Sequence, residues 1–283
     1  GKVTEWPNEN LAPVPVNTDA VRREAWRDMI GGKRIERVSA SHVIKRVDWE
    51  SGVVYDRYDD LNATLYDDGV FYVITDDFNV YKCIDNNGGG QSVVKPTGTG
   101  TAIIELGDGY KWKYMYTVQT AEAINFLTDN WIPVKTLTQD DGSTQFDIQN
   151  LATTGTINAA AVTNVGSGYQ SVPTVTITGD GIGADAEAVV DNGEITQINV
   201  TSFGQNYTRA EISISGGNPS VPAQARPIIA PDLGHGSDPV NELGGFFVML
   251  VVDLEQDEQG TLPVNNDFRK VGIVANPIIN NGQ

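Results

Sequence analysis

One short pattern occurs twice between residues 152 and 230. Val165-Gly166-Ser167-Gly168-Tyr169 returns as Phe203-Gly204-Gln205-Asn206-Tyr207, and Val175-Thr176-Ile177-Thr178-Gly179 returns as Ile212-Ser213-Ile214-Ser215-Gly216. Alternating small residues follow each copy, Ala184, Ala186 and Ala188 in the first, Ala223 and Ala225 in the second. Period-two alternation of β-branched residues makes a strand, since the side chains of an extended chain point alternately to opposite faces, and the intervening glycines supply turns. Two copies of a strand, glycine turn and strand unit predict a compact β module with near-duplicate halves. Gly, Ala, Thr, Val and Asn dominate here, aromatic residues thin out, and no Lys or Arg stands between Lys135 and Arg209. This change of character divides the chain into a first part of a β core over 1–151, an inserted repeat module over 152–239, and the last part of the core over 240–283.

Outside the module the pattern is again mainly β, with two or three short helices in the whole chain. Residues 10–15 carry Pro13 and Pro15 and read as an extended arm. Thr18 or Asp19 can then cap a helix on which Val21, Ala25, Trp26, Met29 and Ile30 recur at helical spacing, with Gly31-Gly32 as the stop. Residues 70–74 and 79–84 flank Thr75-Asp76-Asp77-Phe78 as a hairpin, and 101–106 form a short strand. Over 111–118, Trp112, Tyr114, Tyr116 and Val118 alternate with Lys111, Lys113 and Thr117, which predicts a half-buried strand. A helix over 121–126, extended chain over 131–134, a loop over 231–238, a buried strand over 246–252, an acidic turn over 253–260 and a last strand over 268–275 follow.

Charge narrows the function. The chain holds 19 basic and 37 acidic residues, a formal −18, and a surface of that sign repels phosphate backbones and anionic lipid heads. Nucleic acid and membrane are therefore not expected as partners. The longest apolar run, 246–252, is far shorter than the roughly 20 residues a membrane helix needs. The single cysteine, Cys83, rules out an internal disulfide and fits folding in a reducing cytoplasm; within a strand-like run it reads as an inert core thiol. Residues 1–4 show neither an initiator Met nor an apolar signal core, so residue 1 is not expected to be the native start. The locally basic stretch 22–57 could complement an acidic protein partner, the alternative being a merely solvated face.

Candidate chemistry is sparse. Only His42 and His235 could serve as histidine bases or ligands. His235-Gly236-Ser237-Asp238 sets the three triad residue types side by side, yet a nucleophilic triad converges from separate elements, so a turn or interface loop is expected there. Asp59-Asp60, Asp67-Asp68, Asp76-Asp77 and Asp140-Asp141 could supply two glycosidase acids, but such pairs are background in so acidic a chain. Asp253, Glu255 and Asp257 have the spacing of a calcium loop that then fails, with Glu258 at the tight-turn glycine and Val264 at the bidentate glutamate. Residues 180–185 resemble one imperfect copy of a calcium-binding glycine repeat. Gly88-Gly89-Gly90 lacks the Gly-Lys-Ser/Thr of a phosphate loop, and Trp112, Tyr114 and Tyr116 read as core before they read as a sugar platform. No catalytic, cofactor or metal site is expected.

Taken in order, several blocks form one pattern: Trp6-Pro7-Asn8-Glu9-Asn10, Ala12-Pro13 leading to Thr18-Asp19, and Arg46-Val47-Asp48-Trp49. Val80-Tyr81-Lys82-Cys83-Ile84-Asp85, Asp108-Gly109-Tyr110-Lys111-Trp112-Lys113-Tyr114 and Phe268-Arg269-Lys270-Val271 through Ile273-Val274-Ala275-Asn276-Pro277 continue it. The chain thereby resembles the baseplate wedge subunit of contractile-tailed bacteriophages, the one that pairs with itself, over residues 5–135 and 244–278. Members carry further sequence before the Trp6 block, and the repeat module lies outside the minimal family pattern. The resemblance implies a mostly β structural virion protein of the tail baseplate, assembled in the host cytoplasm without a catalytic site. Its implied partners are a second copy and other wedge proteins. The alternative is a tail-associated adhesin whose module binds a host-surface glycan.

Overall fold

The computed structural model describes residues 16–29 and 32–251. The chain divides into two compact units, Gly1–Ser39 with Leu250–Gln283, and Ala40–Met249. In the first, α1 (Asp19–Asp28) begins where the sequence places it, the Thr18 hydroxyl accepting from Val21 N–H at 3.4 Å. The helix buries no residue, and Trp26 and Met29 are exposed. The proline arm, the Ile30-Gly31 end of the predicted helix, the acidic turn with Asp253, Glu255 and Asp257, and the strand over 268–275 lie outside the described residues.

The second unit opens with β1 (Ala40–Lys45), α2 (Leu65–Asp68), β2 (Tyr72–Ile74), β3 (Asn79–Asn86), β4 (Ile103–Glu105) and β5 (Tyr110–Thr117). There follow α3 (Thr120–Phe126), β6 (Trp131–Val134) and α4 (Thr144–Leu151). The fold is mainly β, as expected, and β2, β3, β5 and β4 form an antiparallel sheet in that order. The half-buried strand predicted over 111–118 is instead buried at every position from Tyr110 to Tyr116, Lys111 and Lys113 included. Both faces of β5 are covered, and a bulge divides its residues between two clusters: Tyr81 faces Tyr114 but Val80 faces Tyr116, so Met115 is an extra residue. Trp112 and Tyr114 accordingly pack with Tyr55, Tyr81, Tyr110 and Ile148, whereas Tyr116 and Val118 join Ile44, Phe71, Ile74 and Ile132 in a second cluster.

The module runs through β7 (Ile157–Asn164), β8 (Thr174–Gly179), β9 (Ile182–Asp191), β10 (Glu194–Gln205), β11 (Ala210–Ser215) and β12 (Gln224–Ile229). Its antiparallel pairs are β9 with β10, β8 with β11, and β7 with β12. Exchanging the two copies maps β7, β8 and β9 onto β10, β11 and β12 and leaves this pairing unchanged. Each copy also reaches into the other. Tyr169 Oη accepts from Ala223 N–H at 2.8 Å, and Tyr207 Oη accepts from Ala184 N–H at 3.2 Å. The repeated glycine turn has the same cause twice: a Cβ on Gly166, at φ +67°, would lie 2.6 Å from Val221 O, and one on Gly204, at φ +58°, 2.5 Å from Ala184 N.

Strand β7 belongs to two cores. Between Ile228, facing Ala159, and Ile229, facing Ile157, the register slips at Asn158. Ile157 and Ala160 thus pack with Val175, Ile195 and Ile198 inside the module, while Ala159 and Ala161, with Ile228 of β12, fill the cluster around Ile44 and Phe71. After β12 come α5 (Pro239–Glu242), capped by Asp238, and β13 (Phe247–Leu250), which completes the sheet β13-β1-β6. The buried strand predicted over 246–252 is corrected here: β13 stands at one edge of a three-stranded sheet with Phe246, Phe247 and Val248 exposed, whereas β6 at the other edge is buried throughout.

Candidate functional site

The densest polar cluster surrounds a residue pair that sequence reasoning did not single out. Lys82, on β3, points its ammonium 2.8 Å from Glu242 Oε2 at the end of α5, and both side chains are essentially fully buried. The same carboxylate accepts from Gly236 N–H at 2.8 and 3.0 Å and from Asp238 N–H at 3.1 Å. Lys82 Nζ also sits 4.2 Å from the centroid of the Tyr58 ring. A buried charge is tolerated when it is paired and its remaining hydrogen-bonding capacity is met, and Glu242 satisfies both conditions. Burial lowers the pKa of Lys82 and of Lys113, the Glu242 carboxylate opposing it in each case.

His235 belongs to this cluster, but not as a triad base. Its ring meets Tyr58 edge-on at 5.0 Å, and its Nδ1 lies 4.0 Å from Glu242 Oε2 with no hydrogen-bond partner. Burial, then the ammonium groups of Lys82 and Lys113, hold the imidazole well below its ordinary pKa range. Ser237 Oγ turns back to Gly234 O at 2.9 Å, and Asp238 accepts from Thr136 Oγ1 and from Asn241 N–H as the cap of α5. Adjacent residues thus diverge, as expected for a turn, and no open cleft brings His235, Ser237 and Asp238 together.

The other candidates hold structure. Asp59 and Asp60 pair with Arg226 of β12. Asp76 and Asp77 pair with Lys95 at 2.6 and 3.2 Å, and Asp140 and Asp141 close turns by accepting from Gly142 and Ser143 N–H. Asp67 and Asp68 stand in the first turn of α2. Asp180 accepts from the Thr208 hydroxyl and from Thr208 and Arg209 N–H at 2.9 and 3.1 Å, and these bonds, the hydroxyl's first, hold its carboxyl below the usual range. His42 Nδ1 meets Gly245 O at 2.8 Å, and Cys83 is buried, its thiol pushed well up by burial and then by Asp85. Trp112, Tyr114 and Tyr116 are core residues, and Asn87–Gly89 is a single tight turn. Among the described residues no group of three His, Cys, Asp or Glu could hold a metal ion, and no helix is long and apolar enough to cross a membrane. A surface groove of about 400 Å³ beside Trp49 and Phe78 carries Arg46 and Lys95, each already ion-paired, to Asp48 and to Asp76.

Residues 82–151, from Lys82 within β3 to the end of α4, match the family model described as Bacteriophage T4, Gp8. The resemblance to a baseplate wedge subunit read from the sequence is borne out where the two overlap, over residues 82–135. No curated protein and no solved structure matches the chain.

Proposed function

From the match over residues 82–151 we propose that this chain is a structural subunit of a phage tail baseplate wedge, holding neighbouring wedge proteins in register during assembly and sheath contraction. The match carries the reading because it falls on β3, β4 and β5, which supply most of the central sheet, so the likeness concerns the fold's frame and not a peripheral motif. The closed Lys82–Glu242 cluster and the structural engagement of the carboxylate pairs support a non-enzymatic role. On this reading the partners are a second copy and other wedge proteins, residues 152–239 are an insertion into the core, and the protein resides in the tail baseplate after assembly in the host cytoplasm. The adhesin reading finds no aromatic platform on the module, since Tyr169 and Tyr207 are buried and Phe203 is exposed singly. Co-expression with the wedge proteins of its phage, followed by sedimentation and mass measurement, tests the proposal. The expected result is a complex holding two copies, with a self-interface above about 1,000 Å². A single copy, or a wedge that assembles unchanged without this chain, refutes it.

A further inference from the structure

We infer that residues 231–243 form a strap latched to the central sheet by the Lys82–Glu242 pair, and that the strap opens without unfolding the strands beneath it. The strap joins β12 to β13, contributes to no sheet, and has only the single turn of α5 as regular structure. One carboxylate organises it. Glu242 meets Lys82 of β3 and, at the same time, the N–H groups of Gly236 and Asp238 within the strap itself. Its other holds are the Thr136 hydroxyl on Asp238, His235 set edge-on against Tyr58, and, at its C-terminal end, Leu243 and Val240 packed into the cluster around Ile44 and Phe71. The tip is open, with Leu233 exposed at φ +68°, a left-handed conformation that a leucine rarely adopts.

Charge makes the latch asymmetric. Lys113, donating to Thr101 O, brings a second buried ammonium near Gly236, whose Cβ would lie 3.5 Å from Lys113 Cε. Neutralising Glu242 leaves two buried ammonium groups and no nearby carboxylate. Removing Lys82 leaves Glu242 still facing Lys113 and both N–H donors. Replacing both partners removes the Lys82 ammonium together with the carboxylate, so one unmatched buried ammonium, that of Lys113, remains where Glu242→Gln leaves two, and a glutamine at 242 still accepts from the strap backbone.

Hydrogen exchange of the full chain, read by peptide, tests the latch on Glu242→Gln, Lys82→Met and the double variant. In Glu242→Gln, peptides of 231–243 should exchange at least about a hundredfold faster while those of β3 and β5 keep their protection. Lys82→Met should show the same local opening to a smaller degree, and the double variant should fall closer to the parent than Glu242→Gln does. Unchanged strap exchange in both single variants overturns the inference. So does an equal loss of protection in strap and sheet, or a Glu242→Gln chain that does not fold, because each would make the pair a part of the global core and not a latch.

Discussion

His235 shows what burial does to a single titratable group. Its imidazole is packed against Tyr58 and stays neutral because burial and two lysine ammonium groups disfavour a further positive charge. In the unfolded chain the same ring takes up a proton near pH 6.5. Below that pH the unfolded state binds more protons than the folded one, so this contribution to stability is full above about pH 6.5 and is lost on acidification, at up to about 1.4 kcal/mol per pH unit. His235→Phe keeps the edge-on contact without a titratable nitrogen. Denaturant unfolding between about pH 5 and 6.5 should therefore show a shallower fall for the variant. Parallel profiles for parent and variant would show that the ring protonates freely in the fold.

At the scale of strands, each half of the module is held shut by the other half's tyrosine. Tyr169→Phe removes the acceptor of the buried Ala223 N–H, and Tyr207→Phe that of Ala184 N–H, which is only partly buried. Each change should cost about 1–3 kcal/mol, the first more than the second, in urea melts of the full chain. Equal stability of either variant and the parent would show that water replaces the hydroxyl. The repeat behind these contacts was legible because its signals are local: glycines, β-branched alternation and a tyrosine at the same place in each copy. The cap of α1 at Thr18 was legible for the same reason. The bulge at Met115 was not, since one extra residue in a strand leaves a perfectly regular alternation in the sequence. Nor was the burial of Lys82, whose partner Glu242 is 160 residues away. Helix α4 did leave a signal, the Ser143 hydroxyl accepting from Phe146 N–H, but a serine in a run of polar residues does not stand out as a cap.

For the molecule as a whole, the proposed insertion has a boundary inside the module and not at its edge. Ala159, Ala161 and Ile228 fill the core that holds Ile44 and Phe71, so a linker replacing all of 152–239 would leave a cavity there. Asn164 and Gln224 are paired neighbours, and excising residues 165–223 with a two-residue turn in their place keeps β7 and β12. That shortened chain should melt cooperatively at a lower temperature, because Ile157, Ala160 and Ile229 lose their cover; aggregation or a non-cooperative melt in scanning calorimetry would count against the insertion. The three strand pairs of the module are also nested, one inside the next, around the Asn192-Gly193 turn, where both residues have positive φ. Closing β9 on β10 brings β8 to β11, and that closure brings β7 to β12, so each step spans a short effective loop although the outermost pair is far apart in sequence. During synthesis the first strand of the module to be made is thus the last to be paired, and until residue 229 has left the ribosome Ala159 and Ala161 have no partner strand beside them.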